Sequence, residues 1–238
     1  MPHYRAELHV HTVLSACAGI EMIPPIIIET VQKLGINLIA ITDHNSGANA
    51  KSVMDAAKGT GVSVLPGMEL ETAEEVHALC LFDTLEQLQC LQNIVDTHLP
   101  PMQNNEDFFG SQLIVDKHGN FLVKEDRMLL TSTSISIQKA CELVTEMGGL
   151  FIPAHVNREA NGLFSHLGTI PPDLSTDIFE ISRHITRETA FARYPELKNF
   201  HVIQNGDVHY LDGFLGAVEL DLQTFSVKAI ADYIAQNY

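Results

Sequence analysis

The chain has 238 residues, 45% hydrophobic and 18% charged, enough to bury one core of barrel size in a single domain. A formal net charge of −16 opposes long-range attraction to an extended polyanion, while leaving room for a small phosphorylated ligand or a nucleic-acid end. No apolar run approaches the ~20 residues of a membrane-spanning helix. The opening residues read as a strand rather than a secretory signal, and Cys17, Cys80, Cys90 and Cys141 lack C-x-x-C spacing, so a cytoplasmic location is expected.

Residues 6–11 are predicted to form a short strand. A helix is expected over 24–34, with Pro24 and Pro25 in its first turn and Gly35 as its stop. Residues 37–42 are nearly all apolar, the pattern of a strand buried on both faces. A helix over 48–58, strands over 62–65 and 76–82, and a helix over 85–98 continue the alternation. The rhythm breaks between 99 and 134. There, 112–115 and 120–124 flank Asp116-Lys117-His118-Gly119 and read as a hairpin. This segment is too short and too poor in apolar residues to hold its own core, and is read as an insertion over one mouth of the fold. A helix over 136–147, strands over 150–154 and 177–182, a short helix over 188–194, strands over 201–204 and 217–222, and a closing helix over 226–236 complete the chain. The expectation is an α/β chain forming one domain over 1–238, with about seven strands that precede liganding residues.

The telling histidines end these apolar runs beside carboxylates: Glu7-Leu8-His9-Val10-His11-Thr12, Ile41-Thr42-Asp43-His44, Gly67-Met68-Glu69, Val76-His77, Pro153-Ala154-His155 and Gly206-Asp207-Val208-His209. Residues two apart on a strand share a face, with Cα atoms roughly 6.5–7 Å apart. His9 and His11 can therefore close on one ion, as can Asp207 and His209. Imidazole with carboxylate suits Zn, Mn or Fe, and the carboxyl ends of barrel strands are the usual place for such a site. A lone His is usually a surface or satisfied core residue, whereas six such elements on successive strands point to a metal centre. His3, His98, His118, His166 and His201 have no partner pattern and are read as loop or helix residues. Glu71, Glu74 and Glu75 are read as a solvated acidic turn, with Glu75 close enough to orient His77.

Taken in order, these segments resemble the successive motifs of the PHP superfamily, named for polymerase and histidinol phosphatase, over nearly the whole chain. The resemblance implies a distorted seven-stranded β/α barrel holding a trinuclear centre that hydrolyses phosphate esters with two to three divalent ions (Zn, Mn or Fe). It implies one ion on His9, His11, Glu69 and Asp207. A second would share Glu69 and be completed by His77 and His155, and a third would take His44 and His209. Cys17 stands where some relatives carry His. It is either a ligand that biases the third position towards Zn or Fe, or a buried inert thiol.

Clustered ions can clamp a phosphate and activate water for in-line attack. Asp43 is a candidate proton-handling or ligand-orienting carboxylate. Arg158 is favoured as the phosphate-binding guanidinium, with Arg183 and Arg187 as alternatives and His184 as a helper. The resemblance implies a nucleotide-like substrate, a 3′,5′-nucleotide bisphosphate or the 5′ end of an oligonucleotide. Phe108, Phe109 or Phe164 are candidates to stack a base, with packing as the commoner role. Competing readings are a histidinol-phosphate-type phosphatase, a non-catalytic metal-binding module of the same fold, and an amidohydrolase. The last is disfavoured because no Lys lies on an expected barrel strand. Neither a membrane partner nor an extended nucleic-acid surface is expected, and the oligomeric state is not legible.

Overall fold

In the computed structural model, which describes residues 1–238, the first three strands run parallel. They are β1 (His3–Val10), β2 (Leu38–Ile41) and β3 (Ser63–Glu71), connected through α1 (Pro24–Lys33) and α2 (Ala50–Ala57). Every residue of β2 is buried, as its apolar run predicts. Its side chains alternate between two hydrophobic clusters, Ile39 and Ile41 in one, Leu38 and Ala40 in the other. The helices cover the outer cluster with Ile27, Ile28 and Val31 from α1 and Ala50, Val53 and Ala57 from α2.

β3 runs well past the expected end at residue 65. Pro66-Gly67 reads as a terminator, but Pro66 lies opposite Ile41, the last residue of β2, so its missing N–H falls where that ladder ends. The chain then doubles back. β4 (His77–Leu81) pairs antiparallel with β3, Glu71 opposite His77 and Gly67 opposite Leu81. A side chain at Gly67 would meet the Cys80 carbonyl at 3.0 Å, so glycine permits this close pairing.

α3 (Leu85–His98) opens with a capping box between Thr84 and Gln87. A short α4 (Glu106–Phe109) precedes the hairpin of β5 (Leu113–Val115) and β6 (Phe121–Lys124). There follow α5 (Ile137–Glu146), β7 (Leu150–Pro153), α6 (Leu163–Leu167), β8 (Ile178–Ile181), α7 (Arg187–Arg193), β9 (His201–Gln204), β10 (Val218–Asp221) and α8 (Val227–Asn237). The short helices α4 and α6 carry no periodic pattern long enough to read in advance.

The main sheet has six strands in the order β10-β1-β2-β3-β4-β7, while β8 and β9 form a separate parallel pair. A bridge between Val10 and Val208 brings the chain after β9 back against β1. The fold is thus a mixed α/β arrangement around a curled half-barrel sheet, consistent with the expected distorted barrel, with six strands in the main sheet where seven were expected. The distortion lies in β4 and β10, which run antiparallel to their neighbours, and the count differs because the four-residue β8 and β9 pair with each other outside the main sheet. Leu8, Leu38, Leu65, Leu79, Ile152, Ile178, Ile203 and Leu220 still meet in one inner cluster, closed by Val227, Ile230 and Ile234 of α8. No helix is long and apolar enough to cross a membrane.

Phe82 is fully buried, whereas Phe121 on β6 is 62% exposed. Phe82→Ala should cost about 3–5 kcal/mol of unfolding free energy, and Phe121→Ala less than about 0.5 kcal/mol. Urea unfolding of the two variants checks the assignment, and equal losses would refute it.

Candidate metal centre

Glu69, fully buried within β3, is the hub. Its Oε1 lies 3.1 Å from His9 Nε2 and 3.0 Å from both His77 Nδ1 and His155 Nε2. Its Oε2 lies 3.0 Å from His44 Nδ1 and 3.3 Å from His11 Nε2. Asp207 Oδ1 completes the set, 3.3 Å from His9 Nε2 and 3.4 Å from His11 Nε2 and His209 Nδ1.

Separate elements deliver these groups to one rim. His9 ends β1, where the pairing with β2 shifts register between Glu7 and Val10, a bulge of the kind that re-aims side chains beside sites. His44 follows β2 and bridges to Glu69. His155 follows β7, and Asp207 and His209 follow β9. His77 is the exception to the expected placement at carboxyl ends, for it opens β4. The reversal of β4 against β3 carries its amino end to the same rim. His155 (φ 30°) and Asp207 (φ 49°) hold left-handed backbone, a strain of about 1–3 kcal/mol each that concentrates at functional sites.

Three overlapping groups each place their donor atoms within 4.8 Å of one another: His9, His11, Glu69 and Asp207; His44, Glu69 and His77; and His11, His44 and His209. The first matches the expected set. In the second, His44 joins Glu69 and His77, whereas the sequence assigned it to the outer position alone; His155 reaches the same Glu69 oxygen as His77. Several fully buried atoms here have no hydrogen-bond partner: His9 Nε2, His11 Nε2, Glu69 Oε2, His155 Nδ1 and Asp207 Oδ1. Each such orphan costs about 1–3 kcal/mol in a dry interior. Imidazole nitrogens and carboxylate oxygens converging in this way fit divalent metal ions.

A surrounding layer fixes the rings. His9 Nδ1 lies 3.0 Å from Glu180 Oε1, which also accepts from the His155 N–H, while Asn205 Nδ2 donates to Glu180 Oε2 at 2.7 Å. His11 Nδ1 meets Ser15 Oγ at 2.9 Å, and Ser15 Oγ donates to Asp43 Oδ1 at 2.8 Å. Asp43 also accepts from the N–H and hydroxyl of Thr12. It is fully buried and lines neither cavity of the cleft, which places it behind the cluster rather than in front of it. His77 Nε2 lies 3.4 Å from Glu71 Oε2, so Glu71 takes the place expected of Glu75, which points to solvent. Partners of this kind fix the tautomer and aim of a ligating imidazole. Glu180 went unassigned in the sequence. Its one signal was a carboxylate inside the apolar run Ile178-Phe179-Glu180-Ile181.

The electrostatics follow from burial set against this pairing. Burial resists ionisation of Glu69, yet the imidazoles of His77, His9 and His44 hold it well below the usual carboxylate range. Burial likewise opposes a proton on His9, but Glu180, Glu69 and Asp207 raise it well above a free imidazole. Burial lowers His77, but Glu69 and Glu71 together outweigh it and raise it to about 9. At His209 burial prevails, helped by His11, and lowers it to about 3. Burial pushes Glu7 up to about 7 even though it accepts the N–H groups of Gly206, Gly216 and Leu215.

The cleft in front consists of two adjacent cavities of about 590 and 340 Å³, which share Cys17, Arg158, Asp207 and His209. Arg183, His184, Tyr210 and Asp212 line the larger. Arg158 Nη1 donates to Asp207 Oδ2, and Arg183 Nη1 to the Gly213 carbonyl at 2.8 Å. Arg187 opens α7 and lines neither cavity. Phe164 is buried and stacked on Tyr194, centroids 4.1 Å apart, so it packs the core; Phe108 and Phe109 lie at the surface of α4. His3 and His201 open β1 and β9 rather than lying on loops or helices, and neither joins the cluster.

The PHP domain family matches the chain over residues 7–160. The chain belongs to the PHP domain family. Among solved structures, this PHP protein is similar to the lesion-specific endonuclease Q of Pyrococcus furiosus, with a TM-score of 0.76 and 19% identity over 100% of this chain and 57% of that one. It is also similar to an endonuclease Q bound to a 27-mer duplex with an abasic lesion at the active site, with a TM-score of 0.71 and 18% identity over 98% and 56%. A candidate metal-dependent phosphoesterase from Bifidobacterium adolescentis aligns with a TM-score of 0.58 and 16% identity over 98% and 96%. The chain spans a little over half the length of the endonuclease Q chains, and at these identities the likeness is one of fold. No curated protein matches the sequence.

Glu180→Gln should weaken divalent-metal affinity about 10–100-fold with an unchanged circular dichroism spectrum. Calorimetric titration with Zn2+ checks this, and wild-type affinity would show that Glu180 does not orient His9. Because His77 holds its proton up to about pH 9 in the ion-free protein, bound ions must displace protons. Apparent affinity should therefore rise with pH through neutrality towards 9, with protons released in weak buffer. A pH-independent affinity would count against a ligand role for His77.

Proposed function

We propose that this protein is a divalent-metal-dependent phosphoesterase acting on a small, nucleotide-like phosphate ester. The observation that carries the reading is the convergence of buried, unpartnered donor atoms around Glu69 and Asp207, at the floor of a cleft walled by Arg158 and Arg183. In this reading His9, His11, Glu69 and Asp207 hold one ion. Glu69 is shared with a second, together with His77, His155 and His44, and His209 belongs to an outer position. Zn, Mn and Fe suit these donors. Ions bound there supply Lewis acidity and an activated water for attack on phosphorus.

The chain's own residues position the substrate and balance its charge. Arg158 is anchored on Asp207 at the junction of the two cavities, with its remaining N–H groups free for phosphate oxygens. Arg183 is fixed on the Gly213 carbonyl and faces the larger cavity, where His184 adds a further donor. Asp43 acts through Ser15 to keep His11 Nε2 facing the centre. Glu180 does the same for His9.

The net charge of −16 favours a mononucleotide, a bisphosphate or a strand end over a long polyanion. The endonuclease Q structures, one lesion-specific and one bound to a 27-mer duplex with an abasic lesion, support a nucleic-acid-related substrate. Residues 1–238 are read as one domain, with 99–134 as an insertion that borders the cleft through Leu130. All four cysteines are free, which supports a reducing, cytoplasmic setting.

Phosphate release from 3′,5′-nucleotide bisphosphates and 5′-phosphorylated oligonucleotides should vanish on chelation and return with Zn2+ or Mn2+. Glu69→Gln should lower kcat by at least about 100-fold, the scale of removing one preorganised electrostatic group, and should lose two ions at once. A Glu69→Gln protein with full metal content and full activity would overturn the reading.

A further inference from the structure

A fully buried amide joins the hairpin of β5 and β6 to the metal centre. Asn49 stands at the N-cap of α2, yet its side chain makes no capping bond to the helix. Its Oδ1 accepts the Val115 N–H at 3.0 Å and its Nδ2 donates to the Leu113 carbonyl at 3.0 Å, so the amide pairs with β5 much as a neighbouring strand would. The other Nδ2 proton goes to Thr12 Oγ1 at 2.9 Å. A second buried amide, Gln112, holds the hairpin itself together. It donates to the Glu125 and Arg127 carbonyls and accepts the Leu129 N–H.

From Thr12 inward the hydrogen bonds run in one direction. Thr12 Oγ1 accepts from Asn49 and from the Leu14 N–H, and its own proton goes to Asp43 Oδ2 at 2.8 Å. Asp43 Oδ1 takes the Ser15 hydroxyl proton at 2.8 Å. Ser15 Oγ is then left only to accept, from the His44 N–H at 3.2 Å and from His11 Nδ1 at 2.9 Å. In the neutral ring the His11 proton is therefore held on Nδ1, and Nε2 turns its lone pair towards Glu69 Oε2 and Asp207 Oδ1. The Asn49 amide cannot be turned over without setting Oδ1 against the Leu113 carbonyl and Nδ2 against the Val115 N–H. The direction of the whole relay is thus dictated by β5.

We propose that Asn49 is a positioning residue, which transmits the placement of the β5–β6 hairpin through Thr12, Asp43 and Ser15 to the tautomer and aim of His11. The hairpin supplies no member of the three donor groups, yet in this way it belongs to the metal centre. Without the Asn49 N–H the Thr12 hydroxyl is free to turn away from Asp43. Asp43 then loses one of the donors that fix it, and Ser15 no longer holds a single role towards His11. This inference rests on the metal-centre reading above.

The test is calorimetric titration of the chelator-treated full-length protein with Zn2+ across a double-mutant cycle of Asn49→Leu and Ser15→Ala. Asn49→Leu keeps the shape of the amide and none of its hydrogen bonds. It should weaken Zn2+ binding about tenfold, the low end of the range for partners that orient a ligand. In the Ser15→Ala background the same substitution should cause no further loss, because its effect passes through Ser15. A role confined to packing would lower the unfolding midpoint equally in both backgrounds and leave the affinity untouched. Thr12→Val breaks the relay without touching the hairpin and should give a similar loss, whereas Thr12→Ser keeps the hydroxyl and should bind as wild type does. This second pair decides the matter if Asn49→Leu does not fold. Wild-type affinity in Asn49→Leu or Thr12→Val, or equal losses with and without Ser15, overturns the positioning role and leaves the metal centre standing. Failure of the wild-type protein to bind Zn2+ overturns both.

Discussion

A single carboxylate with no solvent contact sets the terms for this fold. Glu69 is approached by the imidazoles of His9, His11, His44, His77 and His155. An ionised group in that position is tolerated only where opposite charge and directed donors meet it. Those donors come from the ends of β1, β2 and β7 and the start of β4, so the site requires the sheet to curl until four strand ends face one point. The inner apolar cluster closed by α8 enforces that curl from the other end of the strands. Core packing and site assembly are in this sense one constraint, read from opposite ends of the same strands.

The acidity of the chain looks different once its carboxylates are placed. Glu7, Asp43, Glu69 and Glu180 are all buried, and each is engaged with backbone N–H groups, hydroxyls or imidazoles around the centre. Part of the net charge of −16 is thus internal. Bound cations would balance it, so it does not lie on the surface where it would repel ligands. Glu7 plays a distinct part in this set. It gathers the N–H groups of Gly206, Leu215 and Gly216 and so ties β1 to the loop that carries Asp207 and His209.

Much of this was legible from residue order. The apolar run of β2, the H-x-H pair of β1 and the Gly-Asp-x-His segment carry period-2 and ligand-spacing signals that need no tertiary context. The reversal at β3 and β4 was not legible, because Pro66-Gly67 imitates a strand end and only the register with β2 shows that the strand continues. Nor was the pairing of β8 with β9, which depends on which short strands find each other. The division of labour among the acidic residues was hidden for a similar reason. Glu71 and Glu75 look alike in the chain, but Glu71 pairs with His77 across the β3–β4 ladder whereas Glu75 sits in the turn at φ 60°. Asp43 and Glu180 work through one intermediary or from behind a ring, relations that leave no mark on spacing.

The left-handed backbones at His155 and Asp207 carry one more consequence. At those two positions the demands of folding and of the site point in opposite directions. Glycine would relieve the strain at both, and a chain shaped by stability alone would drift towards it. A PHP-type barrel that had shed its chemistry would be expected to soften first at these two turns. This chain instead keeps an imidazole and a carboxylate on strained backbone, the one aimed at Glu69 and the other at the imidazoles of His9 and His11.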